Sequence, residues 1–161
     1  MTFEIIKPQL KDVEGLAKLW RPTFALHHEM DPGYYVPESS SLAAHLHDYL
    51  KESISSGKRQ IRCAKAAGGK FLGLVIFWED KEDHFDTNIR SFIVIGELYV
   101  AESARKQHVG QALMSSAEDF ARAQGFRFVK LMASKHNGTA LRFYEQIGYS
   151  DRQRLLFKDL G

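Results

Sequence analysis

Between Gly96 and Ala112 the chain reads Gly-Glu-Leu-Tyr-Val-Ala-Glu-Ser-Ala-Arg-Lys-Gln-His-Val-Gly-Gln-Ala. Its chemistry-bearing residues are Arg105, Lys106 and His108, gathered in a short polar stretch. Before them runs a β-branched apolar segment, Phe92 to Val100, and after them a helical pattern starts near Val109. A strand feeding a basic loop that feeds a helix makes a cradle for an anion. The first helical turn has N–H groups without intrahelical partners, and the helix dipole adds partial positive charge there. Gly110 carries no Cβ, so a phosphate can approach its backbone. The stretch lacks the Gly-Lys-Ser/Thr ending of a P-loop and the Gly-x-Gly-x-x-Gly of a dinucleotide site.

A second group of reactive types is His27, His28 and Glu29, followed by Asp31-Pro32-Gly33 and the pair Tyr34-Tyr35. Adjacent histidines on a helix point roughly 100° apart and do not converge as an i, i+4 pair does. They therefore read as surface packing or as one wall of a substrate pocket, and no metal site is expected. Cys63, the single cysteine, excludes an intrachain disulfide and cysteine-rich metal sites. It reads as packing, because no activating group stands beside it.

The elements that must position these groups follow from periodicity. The 161 residues suit one domain, placed at 1–161, with a real core. Phe3 to Lys7 reads as a strand ended by Pro8. Asp12 can cap a helix with Val13, Leu16, Ala17 and Trp20 inward, and Pro22 bends or ends it. Ser39 to Ser41 offer caps for a helix with Leu42, Leu46, Tyr49 and Leu50 inward, stopped by Gly57. Gln60–Ala67 and Phe71–Asp80 form a hairpin about Gly68-Gly69, and Lys81 to Asn88 is a charged loop. The second arm is apolar on both faces, as a strand covered on both sides should be. After the basic loop, a helix runs to Gly125, Phe126 to Ala133 reads as a strand, and Asn137 caps a helix stopped by Gly148. Tyr149 is expected to open a last hairpin continued by Leu155 to Phe157. The order predicts a mixed α/β (α+β) sheet with hairpin and crossover connections.

A net charge of +2 is too small for wholesale nucleic-acid or membrane binding. The N-terminus lacks the pattern of a signal peptide, and no apolar run approaches membrane-spanning length, so a cytoplasmic protein is expected.

In this order and in two motifs the chain resembles the GNAT family of acyl-CoA-dependent N-acetyltransferases. Arg105-Lys106-Gln107-His108-Val109-Gly110 is similar to the family's Arg/Gln-x-x-Gly-x-Gly/Ala, with His108 in the place of the first glycine. A register two residues later, Gln107 to Ala112, also satisfies the pattern; the distance from Val100 favours the first. Asn137-Gly-Thr-Ala-Leu-Arg-Phe-Tyr144-Glu-Gln-Ile-Gly148-Tyr149 resembles the family's Asn-x-x-Ala-x-x-Phe/Leu-Tyr-x-x-x-Gly-Phe.

The resemblance implies a mostly antiparallel sheet of six to seven strands, helices on both faces, and a splay between strands four and five. It implies acetyl-CoA as cosubstrate, with its pantetheine along Leu98, Tyr99 and Val100. Backbone amides from Arg105 to Gly110, through Lys106, Gln107, His108 and Val109, would take the pyrophosphate. Asn137 and Tyr144 would lie near the cofactor, Tyr144 as general acid to the departing sulfur. Glu97 is the first candidate for the base that deprotonates an amine acceptor, or for an anchor of its positive charge, with Glu79, Asp80 and His27 in reserve. His27 and Tyr35 would line the acceptor pocket, together with His28, Glu29, Tyr34 and the loop from Lys81. A homodimer is common in such proteins. The competing function is a CoA-binding or protein-interaction module that keeps the fold without turnover.

Overall fold

The structure, a computed structural model, describes residues 2–160. The elements in chain order are β1 (Phe3–Ile6), α1 (Val13–Trp20), α2 (Pro22–Met30), α3 (Ser40–Ser56), β2 (Gln60–Ala66), β3 (Phe71–Lys81), β4 (Ser91–Val100), α4 (Val109–Ala123), β5 (Val129–Leu131) and α5 (Gly138–Gln146). Short 3-10 turns precede α1 and α4, at Leu10–Asp12 and Glu102–Ala104. The sheet runs β1-β2-β3-β4-β5, antiparallel between the first four strands and parallel between β4 and β5.

β3 is the centre of this arrangement, and its apolar sequence says why. Leu72 and the run Leu74 to Phe77 are essentially without solvent contact. Alternate side chains go to opposite faces. Val75 and Phe77 join Ile93 and Ile95 of β4 against Val109, Leu113, Met114 and Ala117 of α4. Leu74 and Ile76 join Ile61 and Cys63 of β2 against Val13, Leu16 and Trp20 of α1 and Leu46 and Leu50 of α3. Two cores thus share one sheet. A buried aliphatic side chain contributes roughly 1.5–3 kcal/mol, so removing one from β3 is felt by the layer it faces.

The helix ends mostly follow their expected chemistry. Ser39 Oγ accepts from the Leu42 N–H at 3.2 Å, and Gly57 takes the left-handed conformation that ends α3. Asn137 Oδ1 accepts from the Ala140 N–H at 3.0 Å. Pro22 separates α1 from α2 and occupies the first turn of α2, where a missing N–H costs nothing. Asp12 differs from expectation. Its Oδ2 accepts from the Gln9 N–H at 2.8 Å, closing the 3-10 turn, and its other oxygen lies 3.7 Å from Lys65 Nζ. It makes no side-chain cap to α1.

Two further expectations are corrected. β5 is confined to Val129–Leu131, not the span from Phe126 to Ala133. No strand follows Tyr149 among the described residues, so the sheet has five strands there and not six or seven. Leu155, Leu156 and Phe157 are exposed, at 68%, 87% and 73%. Phe157 meets the Tyr34 ring edge-on at 5.7 Å, but with so little burial the segment gains too little to offset its ordering entropy as a paired strand or to set a register.

The feature that matters most for the site is one residue out of step in β4. Ile76 of β3 stands opposite Glu97, yet Phe77 stands opposite Ile95, so Gly96 is an extra residue, a β-bulge. A Cβ built on Gly96 would lie 2.2 Å from the Trp78 ring, so only glycine admits that ring. We expect Gly96→Ala to destabilise the fold by roughly 1–3 kcal/mol through overpacking, measured by denaturant unfolding. Combined with Trp78→Leu, the loss should be clearly less than the sum of the single losses. Strict additivity would show that the ring does not press on this position.

Candidate active site

β4 pairs with β3 along its whole length but with β5 only through Ile93, Val94 and Ile95. From the bulge at Gly96 onward the β5 side of β4 has no strand partner among the described residues. The expected splay is therefore present, and its opening starts at the bulge. Leu98 and Val100 pack towards the α4 core, whereas Tyr99 packs towards α1 and α3. Their main chain borders the opening. A free strand edge is a template for an extended ligand that can exchange backbone hydrogen bonds.

At the end of β4 the Ala101 N–H donates to the Leu72 carbonyl at 2.8 Å, and buried Ala104 plugs the following 3-10 turn into the core. These contacts fix the loop from both sides. Lys106 and His108 are left-handed, with φ of 59° and 61°, a conformation uncommon for residues other than glycine. That geometry gives the physical reason a glycine suits position 108. His108 holds it while its Nδ1 lies 3.2 Å from Gln111 Oε1. No side chain caps the N-terminus of α4. Arg105, Lys106 and His108 are exposed around it, and Gln107 is held by its Nε2 donating to the Ser103 carbonyl at 2.9 Å. Uncapped N–H groups beside Arg105 and Lys106 suit a phosphate.

Gly110 also has a packing role. Its missing Cβ would meet the Phe143 ring at 3.3 Å and the Val100 side chain at 3.6 Å. The glycine leaves room for the Phe143 ring of α5.

Glu97, one residue past the bulge, is half-buried and enters none of the ion pairs or side-chain hydrogen bonds among the described residues. Because Ile76 stands opposite it, Glu97 shares the α1/α3 face of the sheet. Burial alone pushes its carboxyl up to about 7. Tyr144 of α5 is pushed up to about 12, first by burial and then by the charge of Glu97. Burial also raises Tyr35 and Tyr49, and Glu97 adds to the rise in both. The charge of one carboxyl is thus felt by three phenols from three parts of the chain: the loop after α2, α3, and α5.

The loop after α2 is fixed by contacts of its own. His27 stacks on Tyr35 with centroids 4.7 Å apart, and Tyr34 meets Tyr35 edge-on at 4.9 Å. His28 Nδ1 lies 2.7 Å from the Tyr35 carbonyl oxygen. Burial lowers the pKa of His27, so its ring is neutral at pH 7 and fits a pocket wall better than a charged anchor. The reserve bases are occupied elsewhere. Glu79 lies 3.8 Å from Lys81 Nζ on the surface, and Asp80 Oδ1 accepts from the Lys81 N–H at 2.8 Å. Glu29 is exposed.

Tyr49 was legible as an inward residue of α3 but not as part of this constellation. Helical spacing tells which way a side chain faces, not which carboxyl it meets. Cys63 is fully buried, and burial holds its thiol protonated. Among the described residues no group of three His, Cys, Asp or Glu side chains could hold a metal, and no helix is long and apolar enough to cross a membrane.

Comparison with known proteins bears on the fold and the family. An uncharacterized N-acetyltransferase of Bacillus subtilis (strain 168), YhfO, is 27% identical over 103 residues, a match spanning 64% of this chain and 66% of that relative. A tetramutant of the BH1408 protein of Bacillus halodurans superposes with a TM-score of 0.86 over 98% of this chain and 99% of its own, at 15% identity. AAC(6')-Iy, solved with the bisubstrate analogue CoA-S-monomethyl-acetylneamine, superposes with a TM-score of 0.70 over 99% and 98% of the two chains, at 14% identity. These likenesses in structure concern the fold. Residues 20–149, which hold the splayed strand, the basic loop and α5, match the Acetyltransferase (GNAT) family, and the chain belongs to that family.

Proposed function

We propose that the protein transfers the acetyl group of acetyl-CoA to a primary amine by direct attack. The observation that carries this reading is Glu97: a half-buried carboxyl without an ion-pair partner, near Tyr144, where β4 parts from β5. Family membership and the CoA-bearing analogue bound to AAC(6')-Iy support the choice of cosubstrate. The uncapped α4 N-terminus with Arg105 and Lys106 would take the pyrophosphate, and the open side of β4 along Leu98 to Val100 would take the pantetheine.

Acetyl-CoA supplies an activated thioester; the residues here handle the protons and the developing charge. An amine attacks only when neutral, so a proton must leave it. A carboxyl near 7 is matched to that task at neutral pH, because it is half ionised and still basic enough to accept. An N–H on the open side of β4 is placed to stabilise the oxyanion. The new N–C bond forms as the C–S bond breaks, and sulfur leaves with the electron pair. Tyr144 keeps its proton at working pH, with its phenol at about 12. Full transfer to a thiolate whose own pKa is roughly 8.5 would be uphill by about 5 kcal/mol. Tyr144 therefore acts chiefly by donating a hydrogen bond to the departing sulfur.

Three outcomes are expected. Reversing the exposed cations with Arg105→Glu and Lys106→Glu should weaken CoA binding roughly 10- to 100-fold while leaving the fold intact, by calorimetry and circular dichroism. Tight binding by the folded variant would mean the pyrophosphate lies elsewhere. Tyr144→Phe should lower kcat roughly 10- to 1,000-fold with little change in CoA affinity; an unchanged kcat would assign the phenol to packing.

For Glu97 the sign can be worked through. Wild-type kcat/KM should rise as pH climbs through about 7, since the base must be deprotonated. Glu97→Gln should lower kcat and erase that limb. The folded carboxyl titrates above its unfolded value, so the native state binds the extra proton and loses stability as pH rises from about 4.5 to about 7. Glu97→Gln should then be more stable than wild type at pH 8, by roughly 1–3 kcal/mol, and show little gain at pH 4. A variant with unaltered kinetics and no gain at pH 8 would leave Glu97 an ordinary strand residue.

A further inference from the structure

Arg59 lies in the turn between α3 and β2. Its guanidinium carbon stands 4.7 Å from the Tyr49 ring centroid and 5.9 Å from that of Trp78. Trp78 in turn fills the space of the absent Gly96 Cβ, next to Glu97. Arg59 is half-buried, and none of the ion pairs among the described residues includes it. Stacking engages the faces of a guanidinium, whereas its N–H donors lie in the plane. The guanidinium also serves the Tyr49 hydroxyl as a hydrogen-bond donor, and its other N–H groups have no side-chain hydrogen-bond partner among the described residues, which leaves them to a planar anion.

Arg59 and Glu97 both act on the Tyr49 phenol, Arg59 favouring its ionisation and Glu97 opposing it, so both charges lie within electrostatic reach of that ring. Yet burial is the sole cause of the rise at Glu97, so the guanidinium does not neutralise it. The aromatic faces of Tyr49 and Trp78 would otherwise draw a second cation towards Glu97. Here they already hold the chain's own cation. A polycationic amine meets like charge at this end of the site; an acceptor with an anionic group meets a fork.

We propose that Arg59 selects the acceptor by binding its carboxylate. Preferred substrates then carry an amine for Glu97 and a carboxylate for Arg59, and polycationic amines are disfavoured. The proposal rests on the acetyltransferase reading and narrows its substrate to zwitterionic amines.

The test uses matched amines with and without a carboxylate: 4-aminobutyrate and n-propylamine, phenylalanine and phenethylamine, lysine and cadaverine. Thiol release from acetyl-CoA gives kcat and KM for each, and calorimetry measures CoA binding in parallel. For at least one pair, the carboxylate member should have kcat/KM roughly 10- to 100-fold above its partner. Arg59→Gln should raise KM for that acid by a similar factor and change the partner amine far less. Arg59→Lys, which keeps the charge without the fork, should recover part of the loss and guards against a folding defect in the first variant. If wild type uses the decarboxylated amines equally well or better, or Arg59→Gln slows both members of a pair alike, the assignment to Arg59 is wrong and acetyl transfer stands. If CoA binds but no member of any pair is acetylated, amine transfer and this assignment fall together. If CoA does not bind, the cofactor site itself is misassigned.

Discussion

β4 must satisfy two incompatible demands, and the site follows from how it meets them. As an inner strand it needs neighbours on both sides, since an unpaired buried N–H or carbonyl is costly. As the strand beside the opening it needs one side free. The chain meets both by pairing β4 with β5 over three residues and no further. The bulge at Gly96 marks the change, and the Trp78 ring packed against it fixes where the change occurs. Glu97, the next residue, is half-buried and has no ion-pair partner among the described residues. Its proton affinity is therefore a consequence of strand pairing. Desolvation penalises a carboxylate wherever no cation or donor compensates it.

The charges around the opening are arranged asymmetrically. On the α4 side they are positive and exposed: Arg105, Lys106 and the end of a helix. On the α1/α3 side there is a partnerless carboxyl, three phenols near it, and one guanidinium stacked on aromatic rings. The first arrangement suits a highly charged ligand that stays partly in solvent. The second is drier and more discriminating, because each charge there keeps most of its field.

Much of this was legible in order. The unbroken apolar run of β3 signalled a strand covered on both faces. Arg105 and Lys106 were expected just before the Val109 helix and lie there exposed, and Asn137 signalled a helix start. What escaped reading was set by contacts between distant segments. Gly96 could have been taken as a bulge, since a lone glycine within a strand pattern often marks one, yet only the Trp78 ring shows why it is needed. The packing role of Gly110 escaped reading because its neighbour, Phe143, lies 33 residues on. Asp12 looked like a cap for α1 and instead closes the turn before it. The last hairpin was inferred from apolar residues at 155–157, but apolar character makes a strand only where something covers it.

The two-sided burial of β3 also bears on how such a chain can diversify. Side chains facing α1 and α3 and side chains facing α4 belong to separate cores, and substitutions in separate cores combine nearly additively. The helices α1 and α3 on one face of the sheet lie before β2, whereas the basic loop, α4 and α5 all follow β4. On the proposed assignment of the acceptor and donor sites, heritable change in the first half could explore new acceptors while the second half keeps the means of holding the donor. A lineage of such chains could keep one donor and drift through many acceptors without passing through unfolded ancestors.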